Sequence, residues 1–174
     1  SLIWTGAGGD GNWYSPSNWS PAAVPTAFDY VTINLNGANV AVALSSPSIK
    51  FSSMTIGKAD GTSSVTLTLS TTIAGGGNLA LNKNATLTFA TTMQSVVNGL
   101  VMYSSSLINH PANSTSKQYV VNLSVLNLFD MQAGSSVTVT SLGYAVASGP
   151  GAGQNNGAST GGAGAHGGRG VQAG

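Results

Sequence analysis

Few side chains in this 174-residue chain are equipped for chemistry. Its acids are four aspartates, Asp10, Asp29, Asp60 and Asp130, with no glutamate, and its imidazoles are His110 and His166. Glycoside hydrolysis needs two carboxylates flanking the scissile bond. A polysaccharide lyase needs a carboxylate cluster for calcium and a base. The four aspartates are scattered, so neither arrangement is visible. Asp10 and Asp60 each precede glycine, the position of a turn aspartate. Asp29 reads as a turn former as well, which leaves Asp130 as the one acid without a structural reason. A metal site would want His, Cys or Asp at ligand spacing. The two histidines are far apart and read as surface residues, and a chain with no cysteine has no thiolate ligand, thiol nucleophile or disulfide. Two G-x-G-x-x-G matches, Gly6-Gly8-Gly11 and Gly162-Gly164-Gly167, lack the strand-then-helix context that dinucleotide binding requires and read as loop glycines. No catalytic residue, metal ligand or cofactor is expected, and an enzyme is not.

Binding chemistry has more to work with. Trp13, Tyr14 and Trp19 would serve either as a platform for stacking sugars or as an aromatic plug over an apolar interior. The plug is the favoured reading. Four N-x-[ST] sequons fall at Asn18, Asn84, Asn113 and Asn122. Asn113 is expected to be the best acceptor because it sits in an irregular stretch. Asn84 and Asn122 adjoin strands, and Asn18 is followed by Ser20-Pro21, a poor context.

Charge excludes further classes. Five basic against four acidic side chains give a net charge of +1. Phosphate recognition needs clustered Lys and Arg, so nucleic acid is not an expected partner. No apolar run reaches the ~18 residues of a membrane span. A surface of Ser, Thr, Asn and Gly does little to oppose association.

The elements that would position these residues are strands. Residues 1–29 are broken by Gly6, Gly8, Gly9, Gly11, Pro16, Pro21 and Pro25 and form an entry or cap segment. From Tyr30 the apolar period is two: Val31-Ile33-Leu35, then Val40-Val42-Leu44, Ile49-Phe51 and Met54-Ile56. Val65-Thr66-Leu67-Thr68-Leu69, Ala85-Thr86-Leu87-Thr88-Phe89 and Val137-Thr138-Val139-Thr140 repeat apolar-Thr at a spacing that suits the coils of a β-solenoid. Segment 91–118 reads as a coil with a loop excursion. Alternation resumes at Tyr119-Val121-Leu123-Val125 and slips phase at Leu126-Leu128, which implies a bend or bulge.

Residues 148–174 contain eleven glycines and form a separate Gly-rich segment. Gly161, Gly162, Gly164, His166, Gly167, Gly168 and Arg169 are its candidate assembly contacts. The chain starts at Ser1 and lacks a recognisable cap at its far end, so both ends are read as cuts from something longer.

The expected fold is all-β: a right-handed parallel β-helix over 30–147, of roughly five coils at ~4.8 Å each. An antiparallel β-sandwich is the alternative, kept open by Asn36-Gly37, Asp60-Gly61 and Asn98-Gly99. Residues 3–90, with Trp4-Thr5-Gly6, Asp10-Gly11-Asn12-Trp13, Asn18-Trp19, Pro25 and Asp29-Tyr30-Val31-Thr32-Ile33, resemble the entry segment of secreted right-handed parallel β-helix surface proteins. Autotransporter-like bacterial proteins belong to that group, and G8-type modules have a related layout. The resemblance implies an extracellular or cell-surface location. The expected function is a non-enzymatic structural protein, part of a filament, stalk or surface layer. Its partners would be copies of itself, a continuation of a larger chain, or glycans. An adhesin or glycan-binding module is the alternative, and a polysaccharide-active β-helix enzyme ranks below both.

Overall fold

The computed structural model describes residues 1–43, 45–145 and 148–150. Among these the chain is a parallel β-solenoid of about five turns. One side is a seven-stranded sheet in the spatial order β11-β9-β7-β5-β3-β1-β2. Its strands are β1 (Leu2–Trp4), β2 (Trp19–Ser20), β3 (Tyr30–Ile33), β5 (Ser53–Ile56), β7 (Gly76–Leu81), β9 (Ser95–Met102) and β11 (Leu123–Met131). A second side is a five-stranded sheet ordered β12-β10-β8-β6-β4. It contains β4 (Ala38–Val42), β6 (Val65–Leu69), β8 (Ala85–Phe89), β10 (Leu107–Asn109) and β12 (Ser136–Val137). Every strand pair among the described residues is parallel except β1–β2. That pattern rules out the antiparallel sandwich, because from β3 onward consecutive strands alternate between sheets, and from β5 onward each returns beside the strand two earlier. The only helix among the described residues is the short 3-10 turn Pro16–Asn18.

Register explains why alternation in the sequence becomes a core. Val40 stacks on Leu67, Leu67 on Leu87, Leu87 on Ile108 and Ile108 on Val137, steps of 27, 20, 21 and 29 residues. Leu2, Val31, Met54, Leu79, Leu100 and Phe129 form the facing column. With side chains alternating between faces, each coil sends its odd or even set inward, where the sets stack. Thr66 lies beside Thr86 and Thr68 beside Thr88 on the outer face of the second sheet.

The third Thr repeat departs from expectation. Strand β12 covers Ser136–Val137 only, Val139 is exposed, and Val137 stacks in the column of Leu87 rather than of Ala85. Spacing alone had placed it two residues out of register. The stretch 91–118 is also more regular than expected, because it contains β9 and β10, and the strandless loop spans 110–122.

Coils turn at fixed corners. Before the second-sheet strands, Gly37, Gly61, Asn84, Ser105 and Gly134 all have positive φ, between 61° and 85°. A left-handed residue is what redirects the backbone there, which glycine adopts freely and asparagine tolerates. A different corner divides β9 and β11. The buried set of β9 changes phase at Gly99-Leu100, and β11 has an irregularity between Val125 and Leu128. The Leu126-Leu128 slip in the sequence is this corner. Before it, the first halves of β9 and β11 form a third side of the coil, where Ile49 bridges Ile73 and the Val96 amide donates to the Ile73 carbonyl. Amide side chains pin the corner from coil to coil. Asn98 Nδ2 donates to Asn78 Oδ1 at 2.9 Å, and Asn127 Nδ2 donates to Asn98 Oδ1.

Candidate functional site: a closed first end and an open last coil

The two ends of the stack are built differently. At the first end, Trp4, Trp13 and Trp19 meet edge to face, with ring centroids 5.0 Å (Trp4–Trp19) and 4.9 Å (Trp13–Trp19) apart. Trp13 is 0 % and Trp19 3 % exposed, and the Trp19 indole N–H donates to the Trp13 carbonyl at 2.8 Å. Large rings with one satisfied polar handle fill the mouth of an apolar tube. Neither ring offers a face to a sugar. Tyr14 is half-buried beside them, its hydroxyl donating to the Pro47 carbonyl at 2.7 Å while burial raises its pKa.

Asn18, fully buried, ties this end together. Its Nδ2 donates to Asp10 Oδ1 and to the Asn12 carbonyl, its Oδ1 accepts from the Gly8 amide, and its carbonyl accepts from the Thr5 and Gly6 amides. An amide with every polar atom in use is a structural hub. The same burial makes the Asn18 sequon inaccessible in the folded chain. The edges are closed too. The Ala41 amide donates to the Gly11 carbonyl and the Trp13 amide to the Ala41 carbonyl, which covers the free side of β4. On the other sheet β2 is two residues long and runs into Pro21, which has no N–H to extend a ladder.

The last coil is open. β11 and β12 are the terminal strands of their sheets, so each has one unpaired side among the described residues. The inward residues that a further coil would cover are half in solvent: Phe129 is 53 %, Met131 43 % and Val137 43 % exposed. Their predecessors Leu100, Met102 and Ile108 are buried. Leu100, Ile108, Val121, Leu123, Val125, Phe129, Met131 and Val137 line a cavity of about 470 Å³ within this coil. Its lining side chains are all apolar, like those of the buried core. Leu126 and Leu128 project outward on the same strand, both more than half exposed. The exposed apolar side chains Leu126, Leu128, Phe129 and Met131 thus cluster on this one strand. Alternation in the sequence identified Leu123 and Val125 as core-like, but nothing in the pattern says that one side of a coil lacks a neighbour.

The remaining chemical candidates are spread over corners and loops. Asp10 accepts from the Ser15 hydroxyl at 2.5 Å, the Asn12 amide at 3.0 Å and Asn18. Asp29 accepts from the Thr26 amide and hydroxyl, and Asp60 from those of Thr62. These bonds stabilise the ionised form and hold all three carboxyls below their ordinary pKa, led by the Ser15 hydroxyl for Asp10, the Thr26 hydroxyl for Asp29 and the Thr62 amide for Asp60. Asp130 lies on β11 in register with Val101. No group of three or more His, Asp or Glu able to hold a metal occurs among the described residues. His110, expected at the surface, is buried at 7 % exposure, with Nδ1 2.7 Å from the Pro111 carbonyl, where it closes the turn out of β10.

The sequons separate by geometry. Asn113 Nδ2 donates to the Tyr119 carbonyl while its Oδ1 accepts from the Gln118 and Tyr119 amides, so this side chain holds the 110–122 loop closed. Asn122 is half-buried, with Nδ2 3.3 Å from the Thr92 carbonyl. Asn84 is exposed at a corner and donates to the Gly61 carbonyl. The Gly-rich candidates Gly161, Gly162, Gly164, His166, Gly167, Gly168 and Arg169 lie outside the described residues.

Comparison with protein-family models, with curated proteins and with solved structures returned no match to this chain.

Proposed function

We propose that the chain is a non-enzymatic structural unit of an extracellular surface filament, stalk or layer, joined to one neighbour through the open last coil. The contrast between the ends carries this reading. The first end spends three tryptophans and a buried asparagine on closure, whereas among the described residues the last leaves two strand edges and an apolar cavity uncovered. Exposed edges pair with other strands, and apolar surface left in water drives association. A nearly uncharged surface does not resist it. The aspartates support the non-enzymatic part, since Asp10, Asp29 and Asp60 are engaged in turns. The surface location rests on the entry-segment resemblance alone.

The test is association of the purified 174-residue chain, followed by light scattering and electron microscopy as concentration rises. Particles larger than the monomer, reduced by Phe129→Lys in the open coil, are the expected result. A chain that stays monomeric at hundreds of micromolar, with no larger particle on the grid, overturns the reading.

A further inference from the structure

The strand that forms the open edge is symmetric in chemical type about its centre. β11 reads Leu123-Ser124-Val125-Leu126-Asn127-Leu128-Phe129-Asp130-Met131. Counting outward from Asn127, Leu126 answers Leu128, Val125 answers Phe129, Ser124 answers Asp130 and Leu123 answers Met131. From this we propose that the open coil docks on the open coil of a second copy, tail to tail, with β11 of each pairing antiparallel about a two-fold axis at Asn127. The proposal deepens the assembly reading above and rests on it.

Each residue then meets a suitable partner. Val125 and Phe129, both lining the apolar cavity, lie opposite one another's copies, as do Leu123 and Met131. Two half-filled interiors therefore face each other. The outward leucines, 66 % exposed at Leu126 and 57 % at Leu128, pair across the junction. The Ser124 hydroxyl faces the Asp130 carboxylate of the second copy, where it can donate. Asn127, the last rung of the Asn78-Asn98 ladder, meets itself on the axis. An isologous contact requires just this self-complementarity.

Other occupants fit less well. The first end of another copy has no comparable edge to offer, because Gly11–Trp13 cover β4 and Pro21 follows β2. The chain's own residues 151–174 contain one large apolar side chain, Val171, too little to fill a cavity walled by Leu, Phe and Met.

The absence of cysteine makes the test direct. Asn127→Cys and Ser20→Cys variants of the 174-residue chain are oxidised separately and as a mixture, and sized by sedimentation velocity and non-reducing electrophoresis. The expected result is a closed dimer. Asn127→Cys should convert to a single covalent dimer, Ser20→Cys should not, and the mixture should give no crosslink between the two. Leu128→Asp, whose side chain is exposed in the monomer, should raise the dimer Kd at least about tenfold while leaving the monomer's circular dichroism unchanged. An open series of oligomers, or a disulfide joining the Asn127→Cys variant to the Ser20→Cys variant, overturns tail-to-tail pairing and leaves the assembly reading standing. A monomer at every concentration overturns both.

Discussion

Gly77→Ala tests the corner that lets the coils stack. Gly77 lies in β7 where the chain turns between the third side and the seven-stranded sheet, and its amide donates to the Phe51 carbonyl at 3.0 Å. A Cβ added here would stand 1.5 Å from the Ser52 carbonyl oxygen and 2.4 Å from its carbon. Both are backbone atoms of the coil below, so no rotamer change relieves the clash. The coils must separate locally, which costs about 1–3 kcal/mol for overpacking. Loss of the bond to Phe51 adds about 1 kcal/mol. The sum, roughly 2–4 kcal/mol, corresponds to a fall in Tm of about 4–16 °C for a domain of this size. Because coils contact only their neighbours, the damage should be local. Amide exchange should rise first around Phe51 and Gly77 and least in the tryptophan-closed end. Two controls bracket the value. Gly99→Ala meets Asn78 Oδ1 at 2.8 Å, a side chain that can swing away at the expense of the Asn98 bond, so about 1 kcal/mol is expected. Gly143→Ala meets nothing within 4 Å and should be neutral or slightly stabilising. Urea unfolding followed by circular dichroism ranks the three. If Gly77→Ala unfolds with the Gly143→Ala midpoint, the close approach of coils at this corner is wrong.

At the closed end, Asn18→Ala removes the side-chain half of the hub and should destabilise by about 2–4 kcal/mol, read as a fall in urea midpoint, since the Gly8 amide and Asp10 lose their partner. Trp19→Phe keeps a ring but strands the Trp13 carbonyl, which should cost about 1–3 kcal/mol and appear in the same titration. Protonation gives a pH signature. Asp10, Asp29 and Asp60 have folded pKa values below the ordinary 3.8, so the folded chain binds fewer protons than the unfolded chain in acid. Their contribution is complete above the ordinary value and is lost as pH falls through the lowered ones. Tm should be flat from pH 7 to about 5 and drop below about pH 4, and Asp10→Asn should shallow that drop. A Tm that rises on acidification would contradict the turn-locking role.

Sequence determined the material of this protein and much of its path. Strict alternation around Val31-Ile33, Val65-Leu67-Leu69 and Ala85-Leu87-Phe89 fixes strands with one buried face, because a period of two has no other stable use. Two copies of apolar-Thr spaced twenty residues apart stack in register. Entry-segment glycines and prolines mark residues that form turns, and the Leu126-Leu128 slip marks a real corner. Residue type also located the turn aspartates, since carboxylates next to glycine accept local amides and hydroxyls. Direction was legible only through the spacing of the repeat, which favoured parallel coils and which the structure bears out. Parallel and antiparallel strands bury the same alternating residues, and only long-range register distinguishes a solenoid from a sandwich.

Tertiary structure decided which surfaces are finished. Residue type favours Trp13 and Trp19 as a plug over a sugar platform, and the tertiary structure supplies the geometry, their rings meeting edge to face in the core. His110 is indistinguishable in the sequence from a surface histidine, because its burial comes from chain distant in sequence. Val125 and Phe129 have the composition of core residues yet line an open cavity, since burial depends on a neighbouring coil and not on the residue itself. The symmetry of Leu123–Met131 was present in the letters from the start. It became meaningful only once the fold placed that strand at an unpaired edge.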